Sequence, residues 1–147
     1  MTDKVAQGDL TSTAKGSGAR RNAGKIALSL IPLHLLAGCA RVFMGGKLKY
    51  AEFNWAKGMK WSSCFDCILR HLFKWWFLAE ELDPESGEHH LDHVFCNLFM
   101  LRHYVDNYQE GDDRPPAYTD FANSMEDFIK LFDEDDYFSR NPGFKGR

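Results

Sequence analysis

Between Trp61 and Tyr104 the chain reads WSSCFDCILRHLFKWWFLAEELDPESGEHHLDHVFCNLFMLRHY. This stretch is crowded with side chains that can bind a metal, move a proton or hold an anion. They are Asp66, Arg70, His71, Glu80, Glu81, Asp83, His90, His93 and Asn97. Divalent magnesium wants oxygen ligands, and manganese accepts imidazole more readily. Glu80, Glu81, Asp83, His90, His93 and Asn97 are therefore candidate ligands for Mg2+ or Mn2+. An ion held there would bridge phosphate oxygens and orient a water for in-line attack on phosphorus. Asp66, Arg70, His71 and Glu80 are the candidate catalytic groups, with Arg70 suited to a polyphosphate. Plainer readings stand beside these. Asp66 and Arg70 are spaced as a helix ion pair, Glu81 suits a solvated surface, and His71 beside Leu72 suits a satisfied core histidine.

These groups work together only if local structure converges them. Ser62 or Ser63 is expected to cap a helix, with Asp66 in a capping-box position. Phe65, Ile68, Leu69, Leu72, Trp75, Trp76 and Ala79 form its apolar arc. Asp83-Pro84-Glu85-Ser86-Gly87 must turn the chain. So short a connection returns the next helix, about Glu88 to Asn107, antiparallel to the one before. Leu91, Val94, Leu98, Leu101 and Val105 are its apolar stripe. His90, His93 and Asn97 lie on one edge of that stripe, at spacings of three and four, while Asp92 and His103 point away. Cys64-Phe65-Asp66-Cys67 is a lone CxxC, a weak signal for zinc or redox chemistry.

Upstream, Pro32 suits the start of a helix reaching Met44, which Gly45-Gly46 is expected to end. Residues 45–61 then read as a loop in which Tyr50, Phe53, Trp55 and Trp61 could stack on a base and Asn54 could bond its edge. Downstream, residues 108–118 form a linker before a fourth helix from Phe121 to Phe132. No alternating strand pattern occurs, so the expected fold is all-α, an antiparallel bundle of about four helices. The expected layout is a flexible leader (1–19), a central domain (20–107) and an acidic extension (108–147).

The 147 residues, 44% hydrophobic and 14% aromatic, suffice for one domain with a core. No run of about 18 apolar residues suggests a membrane span. The segment IALSLIPLHLLAGCARVF reads as a core helix rather than a signal sequence. The four cysteines sit among apolar residues, which suits buried thiols in a cytoplasm rather than a disulfide framework. The net charge of −3 hides an asymmetry. No acid lies between Leu10 and Ala51, while Asp106 to Asp136 is mostly acidic. Arg20, Arg21, Lys25, Lys47 and Lys49, with Asn54 and Trp55, are the candidate nucleotide-binding residues. RRNAGK is not a Walker motif, since no Ser or Thr follows its Gly-Lys. The acidic C-terminal third argues against a nucleic-acid surface.

RRNAGK, KLKYAEFNWAKGM, DCILRHLFKWW and ELDPESGEHHLDHVFCNLFML resemble the phage dATP/dGTP diphosphohydrolase domain, over about residues 20–107. That group is similar to the all-α pyrophosphatases of the MazG and HisE kind. The resemblance implies hydrolysis of a purine deoxynucleoside triphosphate to monophosphate and pyrophosphate, with magnesium or manganese. It also implies a homo-oligomer, a dimer or tetramer. MazG-type enzymes carry EExxE and ExxD on antiparallel helices. Here His90 and His93 stand where the ExxD acids would fall, and Arg70, His71 and Lys74 where the glutamates would. The absent glutamates leave a second reading, a non-catalytic nucleotide-binding protein on the same scaffold. A phosphohydrolase of the HD class is disfavoured, because no His-Asp dipeptide occurs.

Overall fold

The computed structural model describes residues 24–133, together with 135, 139–140 and 142–143. The expected leader, Arg20 and Arg21 lie outside the described residues, as does most of the charged C-terminal end. The chain divides into two compact units at Leu36/Ala37. In the first, two 3-10 turns, Leu28–Leu30 and Leu33–Leu35, follow one another. Pro32 precedes the second turn rather than opening the expected helix.

Four α-helices follow: α1 (Leu36–Lys49), α2 (Trp61–Leu78), α3 (His90–Asn107) and α4 (Asp120–Lys130). Among the described residues there is no strand, only an isolated bridge between Leu82 and His89. The fold is all-α. No helix among the described residues is long and apolar enough to cross a membrane.

Gly45-Gly46 does not end α1, which runs on to Lys49. Glycine inside a helix costs only about 1 kcal/mol against alanine, and neither residue takes a positive φ. A Cβ on either would meet nothing within 4 Å, so these positions leave open space beside the helix.

α2 and α3 pack antiparallel. Trp61 meets Tyr108, Cys67 meets Asn97 and His71 meets His90 in turn along the pair. The apolar centre is Trp61, Cys64 and Tyr104, ringed by Trp55, Met59, Met100, Leu101 and Tyr108. The buried face is narrower than the hydrophobic arcs suggest. Phe65 and Trp76 on α2 and Leu98 and Val105 on α3 stay exposed, while His90 and Asn97 are buried. At one end of the hairpin, polar groups take the place of core.

The start of α2 corrects the expected cap. Lys60 is the N-cap residue without a side-chain bond. The Ser62 N–H donates to Asp113 Oδ1 at 2.9 Å, and the Ser62 hydroxyl donates to the same carboxylate. A residue 51 positions away supplies the acceptor that first-turn amides need. At the other end, Ala79 closes α2 with φ +51. A left-handed alanine costs about 1 kcal/mol that glycine would not. Ala79→Gly should therefore raise the unfolding free energy by about 0.5–1 kcal/mol in urea titration.

Candidate functional site

The α2–α3 turn builds the site. Gly87, at φ +74, lets the chain reverse, with the Gly87 N–H donating to Asp83 O at 2.7 Å and the Asp83 N–H to Glu88 O at 2.8 Å. The Asp83 carboxylate accepts from the Ser86 N–H at 3.2 Å and the Ser86 hydroxyl at 2.9 Å. It is thereby fixed at the mouth of the helix pair. Burial opposes its ionisation, but the Ser86 bonds and the imidazoles of His93 and His71 together hold its pKa below the ordinary value. At neutral pH it is a carboxylate.

Three imidazoles face it. His71 Nδ1 and His90 Nδ1 are 2.8 Å apart, and the His93 ring stacks on His71 with centroids 4.3 Å apart. His93 Nε2 contacts the Ser86 hydroxyl at 2.7 Å and lies 3.6 Å from Asp83 Oδ2. Burial and the neighbouring imidazoles depress the His71 pKa to about 4. Burial likewise lowers that of His93, against the pull of Asp83. Neutral imidazoles carry the lone pairs that a metal needs.

Among the described residues, the ligand atoms of His71, Asp83 and His90 all lie within 4.8 Å of one another. His90 is fully buried, and its Nε2 has no hydrogen-bond partner. Glu80 Oε1 stands 3.5 Å from that nitrogen and does not hydrogen-bond it. A small closure there would give a carboxylate–histidine pair, the usual outer support of a metal-binding imidazole. Two imidazoles and one carboxylate fit a first-row divalent ion, Mn2+ included, better than Mg2+.

This trio adjoins a polar cavity of about 740 Å³ whose lining includes Arg41, Lys49, Arg70, Lys74, His71, Asp83 and His93. Arg41 is paired with Glu88 at 2.8 Å and Lys49 with Glu85 at 3.0 Å. Among the described residues neither Arg70 nor Lys74 has an ion pair, so these two cations are free to meet an anion. Against the same wall lies a second, apolar cavity of about 580 Å³, lined by Phe43, Tyr50, Phe53, Trp55, Met59 and Met100 among others. Val42, Gly46, Tyr50 and Asn97 border both.

The candidate residues therefore fall into groups. His71, Asp83, His90 and His93 come together, with Arg70 beside them and Glu80 behind His90. Asn97 divides the cavities, its amide donating to His93 O at 2.8 Å and Cys67 Sγ at 3.3 Å. Glu81 is bound by His89 at 2.9 Å and is not in the trio. Asp66 is exposed on α2, lines neither cavity and makes no ion pair with Arg70 among the described residues. Lys49 lines the polar cavity, and Lys47, Asn54 and Trp55 line the apolar one. Lys25 belongs to the first unit. The four cysteines are free thiols, and burial pushes Cys64 up to about 11 and Cys96 up to about 12. Protonated buried thiols are packing residues rather than ligands.

A family model described as dATP/dGTP diphosphohydrolase, N-terminal, matches residues 15–114. The chain belongs to this family. A relative from Salmonella phage PMBT28, named dATP/dGTP diphosphohydrolase, is 32% identical over 98 residues, which make up 67% of this chain and 33% of the relative. The chain thus spans about a third of that relative's length. No solved structure matches. Both cavities and the His–Asp trio lie inside the matched segment of this diphosphohydrolase N-terminal domain.

The sequence motifs do not single out Ser86 or Lys74 as working residues, although both are detectable. Ser86 stands three residues after Asp83, the spacing of an Asx-type turn, and Lys74 follows Arg70 by four on one helix face.

The depressed His71 pKa has a measurable consequence without metal. The unfolded chain takes up this proton near the ordinary histidine value, whereas the folded chain resists until about pH 4. The stability is complete above about pH 6.5 and is lost as pH falls toward 4. Denaturation of the metal-free chain should show a loss of about 1–2 kcal/mol across that window. His71→Gln should flatten the slope.

Proposed function

We propose that this domain hydrolyses purine deoxynucleoside triphosphates, dGTP and dATP, to the monophosphate and pyrophosphate, and so shapes a phage nucleotide pool. The observation that carries this is the polar cavity, where an ionised Asp83 and neutral imidazoles face Arg70 and Lys74, cations without an ion pair among the described residues. Carboxylate and imidazole suit a cation, and the basic side chains suit a polyphosphate, so the cavity matches both halves of a metal–nucleotide complex. The relative's name and the family description support the same chemistry.

His71, Asp83 and His90 would hold a divalent ion, with Mn2+ favoured over Mg2+ by the imidazoles. Such an ion supplies polarisation of a phosphoryl oxygen and a more acidic water. The protein's own groups do the rest. Ser86 fixes Asp83, and Glu80, 3.5 Å from His90 Nε2, would orient His90 on a small closure. Arg70 and Lys74 neutralise the charge that builds on the departing pyrophosphate, an effect strongest where water is excluded. With the Ser86 hydroxyl donating to Asp83, His93 donates to Ser86 from Nε2, and its Nδ1 would be the nitrogen that accepts a proton from the attacking water. A homo-oligomer is supported by the exposed aromatic face of α2, which carries Phe65, Phe73, Trp76 and Phe77. Light scattering on the eluting protein would measure its mass.

The decisive test is a panel of nucleoside triphosphates with Mn2+ and with Mg2+, resolving monophosphate plus pyrophosphate from diphosphate plus phosphate. Pyrophosphate release from dGTP or dATP is expected, faster with Mn2+. Thermal stabilisation by nucleotide without any turnover would instead establish the non-catalytic binding protein.

A further inference from the structure

The chemistry above uses the polar cavity and leaves the apolar one without a role. Its volume of about 580 Å³ is that of a small-molecule site. Its wall is rigid for a definite reason. The Trp55 carbonyl accepts from the buried Tyr104 hydroxyl at 2.6 Å and from the Gly58 N–H at 3.1 Å, so the turn bearing Phe53, Asn54 and Trp55 is pinned to α3. Phe43 and Trp55 stand with ring centroids 6.1 Å apart. Phe53 is held at φ +54, a strained conformation for an aromatic residue that puts its exposed ring on the cavity lining. The two cavities adjoin along Val42, Gly46, Tyr50 and Asn97, so a ligand lying across that border would need an anionic end and a flat, apolar end. A nucleotide has that form.

Few polar side chains border the apolar cavity. The NH2 group of Asn97 is already committed to His93 and Cys67. Lys47 and Glu52 sit together on the lining, with Lys47 Nζ 3.2 Å from Glu52 Oε1. An exposed ion pair of this kind adds little to stability. Beside an apolar cavity it has another property, since it sets a carboxylate acceptor next to an ammonium donor.

We propose that the apolar cavity takes the purine base of the substrate and that Glu52, with Lys47 beside it, reads the base edge and favours guanine over adenine. This rests on the nucleotide reading of the polar cavity. Guanine offers N1–H and N2–H side by side, and both oxygens of one carboxylate accept them as a fork. Its O6 accepts from Lys47. Adenine offers a single exocyclic N–H group and turns the N1 lone pair toward the carboxylate. Two charge-assisted hydrogen bonds gained and one repulsion avoided, discounted for the exposure of both side chains, amount to on the order of tenfold in affinity.

The test is equilibrium binding of dGMP and dAMP to the full chain by titration calorimetry, with wild type and Glu52→Gln. Neither monophosphate is a substrate for pyrophosphate release, so base preference is read whether or not triphosphates are turned over. We expect dGMP to bind about tenfold tighter than dAMP, and Glu52→Gln to bring the two within about twofold by weakening dGMP. Glu52 is exposed, so the variant should keep the wild-type fold and melting temperature. Equal affinities in wild type, a preference undiminished in Glu52→Gln, or binding of neither nucleotide would each overturn the proposal. Turnover of dGTP and dATP at equal efficiency, unchanged by Glu52→Gln, would remove the base reader and leave the phosphate site standing.

Discussion

Asp83→Asn should abolish triphosphate turnover, by about a thousandfold or more, while the chain stays folded. The expectation follows from the two tasks that Asp83 performs. It holds the turn, by accepting from the Ser86 amide and hydroxyl and through its own backbone bonds to Gly87 and Glu88. It also brings the one carboxylate to the trio with His71 and His90. Asparagine keeps an acceptor oxygen for Ser86 and leaves the backbone bonds untouched, so the first task largely survives. The negative charge goes, and with it the hard ligand for a divalent ion and the partner of the His93 imidazole. Loss of metal-derived charge stabilisation is worth several kcal/mol in such reactions, hence the thousandfold. Calorimetric titration with Mn2+ should show at least about a hundredfold weaker binding. A melting temperature within a few degrees of wild type would confirm that the fold is not the cause. Near-wild-type turnover in Asp83→Asn would exclude the trio as the metal site.

The hairpin that carries Asp83 was legible in the sequence because its signals are local. Asp-Pro-Glu-Ser-Gly can only turn, and the spacing of His90, His93 and Asn97 puts them on one edge of any helix. The all-α bundle follows from the same 3.6-residue period. The site was less legible where it depends on partners distant in sequence. His71 lies at the border of the α2 apolar arc, and only the packing of α3 shows that it meets His90. Glu81 had the right chemistry, but His89, the N-cap of α3, binds it first. Asp113 caps α2 from across the chain, and no nearby serine supplies the acceptor. Hydrophobic arcs were read too generously as well. Phe65, Trp76 and Leu98 fit their helices' apolar faces yet remain on the surface, because periodicity does not say whether a partner covers an apolar face. Gly45-Gly46 has the composition of a helix end. The glycines instead stay helical along the polar cavity, where larger side chains would project into open space.

Gly58→Ala is expected to cost about 3 kcal/mol or more, the largest single-methyl effect in the aromatic wall. Two independent penalties meet there. Gly58 sits at φ +85, where any L side chain is strained by about 1–2 kcal/mol. An added Cβ would also stand 2.6 Å from the Tyr108 ring, and that ring cannot easily yield. Tyr108 packs on Tyr104, and its carbonyl accepts from the Trp61 indole at 3.0 Å. The clash would therefore be relieved by moving the residue 50–60 segment rather than α3. Urea denaturation should show the lower stability. The functional effect should be selective. His71, Asp83 and His90 are held by the α2–α3 hairpin, so Mn2+ binding should stay within about threefold of wild type. Discrimination between dGMP and dAMP should vanish, because Phe53, Asn54 and Trp55 would no longer be pinned against the cavity. Tyr104→Phe provides the milder counterpart. It removes only the 2.6 Å bond to the Trp55 carbonyl and should cost about 1–2 kcal/mol with a partial loss of discrimination. If Gly58→Ala were as stable as wild type, the aromatic wall would not be anchored as described. If it lost Mn2+ binding together with base discrimination, the two cavities would not be separable parts of one site.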